Sequence, residues 1–200
     1  MKDKYFGDNR DLVKWSVLIQ LARDKGIKKI YQIAYFGKTE WPIIKIDGCD
    51  SKMHREVTTF FKNINNIRSI STAGIEIEVF GDDFNDDNRE PYHKKVIELI
   101  KKEQSPAIIF IDPDTGLEPP SRRSNATHVK EKEVEKIWNT PLSAGSYLVL
   151  YQHETNKAGK EWIQSKRSQL AKCIKTDPAN IKIGRCKELA RDVVLFIIQK

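Results

Sequence analysis

Covalent and metal scaffolding have little to build on in this chain. It contains only three cysteines, Cys49, Cys173 and Cys186, too few and too scattered for a disulfide framework or a zinc ribbon. Ten glycines and eight prolines in 200 residues exclude a collagen or a low-complexity chain. No run of eighteen apolar residues occurs, which excludes a transmembrane helix. The opening MKDKYFGDNRDLVKW lacks the apolar stretch of a secretory signal. The expectation is a reduced, cytoplasmic, globular protein with no membrane partner. Also missing are G-x-G-x-x-G, the Walker loop, H-E-x-x-H and G-x-S-x-G. Dinucleotide, nucleoside triphosphate, zinc-protease and serine-hydrolase chemistries therefore have no anchor.

What is present is a chain 39% hydrophobic and 32% charged, which excludes wholesale disorder. Its length suits one domain, and no repeat or linker divides it, so residues 1–200 read as a single α/β domain. The net charge of +7 is unevenly placed. Residues 155–200 hold eleven Lys or Arg against four Asp or Glu, an excess equal to that of the whole chain. Such a basic quarter either attracts phosphate backbones, with salt-dependent binding, or is a solvated, solubilising surface. Lys160, Lys166, Arg167 and Lys172 are its candidate phosphate contacts, joined by Arg122 and Arg123 on an earlier loop.

Periodicity organises the rest. Residues 8–25 read as a helix, with Leu12, Trp15, Ile19 and Ala22 at three- and four-residue steps and Gly26 to stop it. Strands are expected at 28–34, 74–80, 107–111, 147–151, 180–186 and 192–199, with a short one at 43–46. Residues 74–80 alternate, as a half-exposed strand does, whereas AIIFI and YLVLY are unbroken, as in central strands covered on both faces. Helices are expected at 52–64, 91–104, 129–138 and 161–174, and residues 112–126 as a loop. Trp41, Trp138 and Trp162 read as core residues rather than stacking platforms. The alternation predicts a mostly parallel, Rossmann-like sheet between helices. The connection 187–191 is too short for a parallel crossover, so the last strand should be antiparallel, the shape of a class I methyltransferase.

Ligands of open α/β sheets bind beyond the carboxyl ends of the strands. The polar groups following the expected strands are Asp82 and Asp83, then Asp112-Pro113-Asp114-Thr115-Gly116-Leu117-Glu118, then Gln152, His153 and Glu154. Asp, Pro and Gly are also ordinary turn formers. Asp112, Asp114 and Glu118 crowd one short loop, and two chemistries suit them. They would hold Mg²⁺ for phosphodiester hydrolysis, as in a nuclease of restriction or phage defence. Alternatively, Asp112 accepts a hydrogen bond from an exocyclic amine while Pro113 orients its carbonyl, as an amino-methyltransferase needs on an extruded base. His153 is the best-placed acid–base candidate. The Asp/Glu-x-Lys triplet of a nuclease signature does not follow Asp114; Asp50-Ser51-Lys52 has that spacing but precedes it.

Tyr5-Phe6-Gly7-Asp8, Asp11, Lys14, the run 109–118, His128 and Tyr151-Gln152-His153 resemble a largely uncharacterised family of microbial proteins. More distantly, the chain resembles the ribosomal RNA adenine-N6 methyltransferases of the class I, S-adenosylmethionine-dependent type. Their glycine, aspartate and lysine ahead of the first helix are similar to Gly7, Asp11 and Lys14, and their aspartate-proline-proline-tyrosine loop falls on Asp112, Pro113, Asp114 and Thr115. The second proline and the aromatic are replaced, and of the glycine-rich loop after the first strand only Gly37 remains. The resemblance implies S-adenosylmethionine across the first strand end, near Tyr35, Gly37 and Asp82, and nucleic acid as partner. Asp112 and Pro113 would then face the target base, with Asp114, Glu118 and His153 around them. A third reading is a non-catalytic member of the fold that binds nucleic acid or protein.

Overall fold

The computed structural model describes residues 6–37, 43–46, 49–52, 57, 62–70, 74–119, 125–154 and 161–200. The first element is helix α1 (Asn9–Lys25). The Asp8 side chain accepts from the Arg10 and Asp11 backbone N–H groups, and Gly26 closes the helix at φ 66, the left-handed conformation that glycine adopts without steric cost. Strand β1 (Lys29–Ala34) follows, then a small antiparallel pair, β2 (Ile44–Ile46) with β3 (Cys49–Ser51), and a 3₁₀ segment, Ile64–Ile70. Next come β4 (Glu76–Phe80), α2 (Arg89–Ile100), β5 (Ala107–Asp112), β6 (Gly116–Leu117), β7 (His128–Val129) and α3 (Glu131–Asn139). The chain ends with β8 (Tyr147–His153), α4 (Trp162–Cys173), a 3₁₀ turn at Pro178–Asn180, β9 (Lys182–Gly184) and β10 (Val193–Gln199). The helix expected over 52–64 falls mostly outside the described residues, as does Trp41.

Six strands form one sheet in the order β4-β1-β5-β8-β10-β9. β4, β1, β5 and β8 are parallel. β10 runs antiparallel between β8 and β9, as the short final connection requires. The chain leaves β1 for β4 on one side and returns to β5 on the other, so the order reverses between β1 and β5. Alternation divides the core. Ile30 and Ala34 of β1, Ile108 and Phe110 of β5, and Val149 and Tyr151 of β8 pack with α1 on one face. Ile33, Ile109, Ile111, Leu148 and Leu150 pack on the other face with Val96 of α2, Val134 and Ile137 of α3 and Leu170 of α4. Trp138 and Trp162 lie partly buried against that second cluster.

The structure departs from expectation in one helix and one loop. Leu12 is 55% exposed, and the buried residues of α1 are Asp11, Val13, Lys14, Trp15, Leu18 and Ala22. The apolar stripe therefore runs on toward the N-terminus through two charged residues. The expected loop 112–126 also contains structure, because β6 pairs in parallel with β7.

Candidate functional site

The first turn of α1 and the carboxyl ends of β5 and β8 enclose a polar pocket of about 310 Å³, lined by Asp8, Arg10, Asp11, Lys14, Pro113, Asp114, Thr115, Tyr151 and His153. Its floor is an ion cluster. The Lys14 ammonium lies 3.0 Å from Asp11 Oδ1 and 2.9 Å from Asp112 Oδ1, and 4.2 Å from the Tyr151 ring centroid. The contact with Asp112 is one of charge rather than an aligned hydrogen bond. Gln32, on the same face of β1, donates to the other Asp112 oxygen at 2.8 Å. Gly7 N–H donates to Asp11 Oδ2 at 2.7 Å. Burial alone would push the Lys14 amine down, but Asp112 and Asp11 outweigh it and hold it well above the usual lysine range. Burial raises the Asp11 carboxyl; Lys14 opposes the shift and Asp112 adds to it.

The rim is a second ion cluster. Arg10 donates to Asp192 Oδ2 through Nη2 at 2.6 Å and Nε at 3.2 Å, and its Nη1 meets Asp8 at 3.2 Å. His153 Nε2 lies 3.0 Å from the same Asp192 oxygen, and its Nδ1 lies 2.8 Å from the Glu154 carbonyl. Partial burial would raise the Asp192 carboxyl, but the Arg10 hydrogen bond and charge hold it below the ordinary value. Both ring nitrogens of His153 thus face acceptors, so an acid–base role would require the ring to release one of them.

Gln152 fixes the loop that walls the pocket. This fully buried side chain accepts from Leu117 N–H at 2.9 Å and donates to the Thr115 and His153 carbonyls at 3.3 and 2.8 Å. Gly116 sits above it at φ 122, where a Cβ would lie 2.5 Å from the Gln152 amide. Only glycine fits both the backbone and the space.

Of the residues expected from sequence, Pro113, Asp114 and His153 meet in this pocket, with Asp112 completely buried beneath it. Glu118 does not join them. Its carboxylate accepts from Glu131 N–H at the start of α3 at 3.0 Å, while its carbonyl accepts from Lys166 and Gln169. The Asp112–Asp114–Glu118 metal set is therefore not assembled, and no group of three His, Cys, Asp or Glu among the described residues is arranged to hold a metal. The set does not fit Mg²⁺, because Asp112 is neutralised by Lys14 and Glu118 is a helix cap.

The cofactor residues also part company. Tyr35 is 1% exposed and lies in the other-face cluster, its hydroxyl 3.2 Å from His93 Nε2 and its ring edge-on to Phe84. Asp82 is exposed and pairs with Lys95 at 2.8 Å. Gly37 is half-buried and has no neighbour within 4 Å of a built Cβ. None of these three residues is among those lining the pocket.

Among the phosphate candidates, Lys166 is buried, donating to the Leu117 and Glu118 carbonyls and to Gln169 at 2.8, 3.0 and 3.0 Å. Burial lowers its amine to about 8. It ties α4 to β6 and is removed from the nucleic-acid candidates. Arg167 is half-buried against the Ala179 carbonyl. Lys172 is exposed at the far end of α4 from the pocket edge. Arg122, Arg123 and Lys160 lie outside the described residues. His128 is half-buried, with Nδ1 2.9 Å from Asn125 Oδ1, and does not line the pocket.

Sequence reasoning missed the cations beside the rim. β9 runs parallel to β8, so its connection to β10 lies at the same carboxyl edge. Arg185, Lys187 and Arg191 are exposed there, next to the Asp192 that Arg10 and His153 share. No helix among the described residues is long and apolar enough to cross a membrane. No family model, curated protein or solved structure matches the chain.

Proposed function

We propose that this chain is a nucleic-acid-binding domain on a methyltransferase-like Rossmann scaffold, and that the pocket beyond β5 and β8 receives one unstacked, amino-bearing base. One observation carries the reading: the polar pocket lies at the carboxyl edge of the sheet, beyond β8 and beyond β5, the strand that borders the order reversal, and Pro113, Asp114 and Thr115 form its wall. The strand order supports the scaffold, since β10 inserts antiparallel between β8 and β9. A pocket of about 310 Å³ lies at the small end of ligand sites, a size suited to a base rather than a whole dinucleotide. Arg185, Lys187 and Arg191 stand where an adjoining phosphate backbone would pass. The proposal is confined to binding, because Tyr35, Gly37 and Asp82 do not line the pocket. Hydrolysis by Mg²⁺ is left out because its carboxylates do not converge.

The test is fluorescence anisotropy with single-stranded oligonucleotides over a salt series. Wild-type protein should bind with log K falling linearly in log salt. The triple variant Arg185→Ala/Lys187→Ala/Arg191→Ala should flatten that slope by about 2, at roughly 0.7 per lost phosphate contact. Thr115→Trp, which fills the pocket mouth, should weaken binding while leaving the salt slope in place. Absence of oligonucleotide binding at low salt would refute the reading.

A further inference from the structure

We infer that the pocket reads an exocyclic amino group through the Asp114 carboxylate and the Tyr151 hydroxyl, and that Asp112 takes no direct part. This rests on the pocket being the base site and adds which side chains choose the base. The charges around the cavity fall into two groups. Asp8, Asp11, Asp112 and Asp192 are all engaged by Arg10, Lys14 or backbone N–H groups. Asp114 lines the same cavity and has neither ion pair nor hydrogen bond among the described residues. Tyr151 is 3% exposed and its ring is pinned beneath the Lys14 ammonium. Its hydroxyl has no hydrogen-bond partner among the described residues and is left open to the cavity that Tyr151 lines.

An ionised carboxylate only accepts, and a hydroxyl both donates and accepts, so the two are completed by a ligand that presents N–H. An anion is disfavoured, because three carboxylates (Asp8, Asp11 and Asp114) line the cavity, with Asp112 buried beneath it and Asp192 bound to Arg10 and His153 at the rim, against the permanent charges of Arg10 and Lys14. Adenine and cytosine present an amino group. Hypoxanthine and uracil place a carbonyl at the same position and would turn a lone pair toward Asp114. Asp112, where the resembled methyltransferases make their base contact, is completely buried between Lys14 and Gln32. It acts as a positioning residue that fixes the Lys14 ammonium over the Tyr151 ring.

The experiment compares oligothymidylates carrying one central adenine or one central hypoxanthine, by anisotropy at low salt, with folding monitored by circular dichroism. Wild type should prefer adenine by about tenfold or more, the scale of one hydrogen bond to a charged group. Asp114→Ala should abolish the preference, Asp114→Asn should keep part of it through its carbonyl oxygen, and Tyr151→Phe should reduce it. Equal affinity of wild type for the two bases overturns the inference and leaves nucleic-acid binding standing, as does an undiminished preference in Asp114→Ala. If no oligonucleotide binds, the proposed function falls instead, and titration of free cytidine against uridine decides. Cytidine binding that Asp114→Ala removes upholds the amine reading; no cytidine binding overturns it.

Discussion

Replacing Lys14 by methionine preserves side-chain length and removes the charge on which the pocket floor is built. The ammonium lies 3.0 and 2.9 Å from two carboxylates, and Lys14 as a whole is 6% exposed. At an effective dielectric of about 20 each contact is worth about 6 kcal/mol of attraction, most of it cancelled by taking three charges out of water. Deleting the cation alone leaves two buried carboxylates unpaired, which costs about 3–5 kcal/mol, or roughly 10 °C in melting temperature for a chain of this size. The pH dependence has a definite sign. Burial already raises Asp11 above the ordinary carboxylate value, with Lys14 as its main opponent. Without Lys14 the folded chain retains a proton that the unfolded chain has lost, and stability then falls as pH rises. Urea unfolding of Lys14→Met against wild type should therefore show the largest deficit near neutral pH and a smaller one toward about pH 5. A deficit under about 1 kcal/mol, or one that grows on acidification, would refute the buried-cluster account.

Gly116→Ala should cost about 3 kcal/mol, combining backbone strain at φ 122 with a Cβ placed 2.5 Å from the Gln152 amide. An unchanged urea midpoint would contradict the loop lock. Lys166→Met should destabilise by about 2 kcal/mol, since it strips the donor from two carbonyls and Gln169, and it should leave the salt slope of oligonucleotide binding unchanged. A flatter slope would return Lys166 to the phosphate contacts. Isothermal titration with S-adenosylmethionine should give no saturable heat, because Tyr35 is enclosed and Asp82 is turned to Lys95. Micromolar binding would restore the methyl-transfer reading.

Much of the fold was legible because it follows from short-range periodicity. The unbroken runs AIIFI and YLVLY are the fully covered centres of β5 and β8, and the short final connection forces β10 antiparallel. Other features depend on distant partners and leave no local pattern. The two-residue pairing of β6 with β7 joins Gly116 to His128, and the burial of Lys166 is set by carbonyls nearly fifty residues away. The pocket floor lies between these cases. Asp11 and Lys14 look like an ordinary surface pair at i, i+3 spacing, yet they occupy the same helical stripe as Trp15, Leu18 and Ala22. That continuation was the signal that both are buried. The same loop that placed Pro113 and Asp114 at the cavity sent Glu118, just past β6, to cap α3.

The most direct measurement is an amide chemical-shift map of the protein titrated with an adenine-bearing oligothymidylate. Shifts should concentrate at Gly7–Asp11, Asp114, Thr115 and His153, with a second group at Arg185–Arg191. Shifts confined to the α2–α4 face, or centred on Tyr35 and Asp82, would mean that nucleic acid is held elsewhere and that the pocket beyond β5 and β8 is not its site.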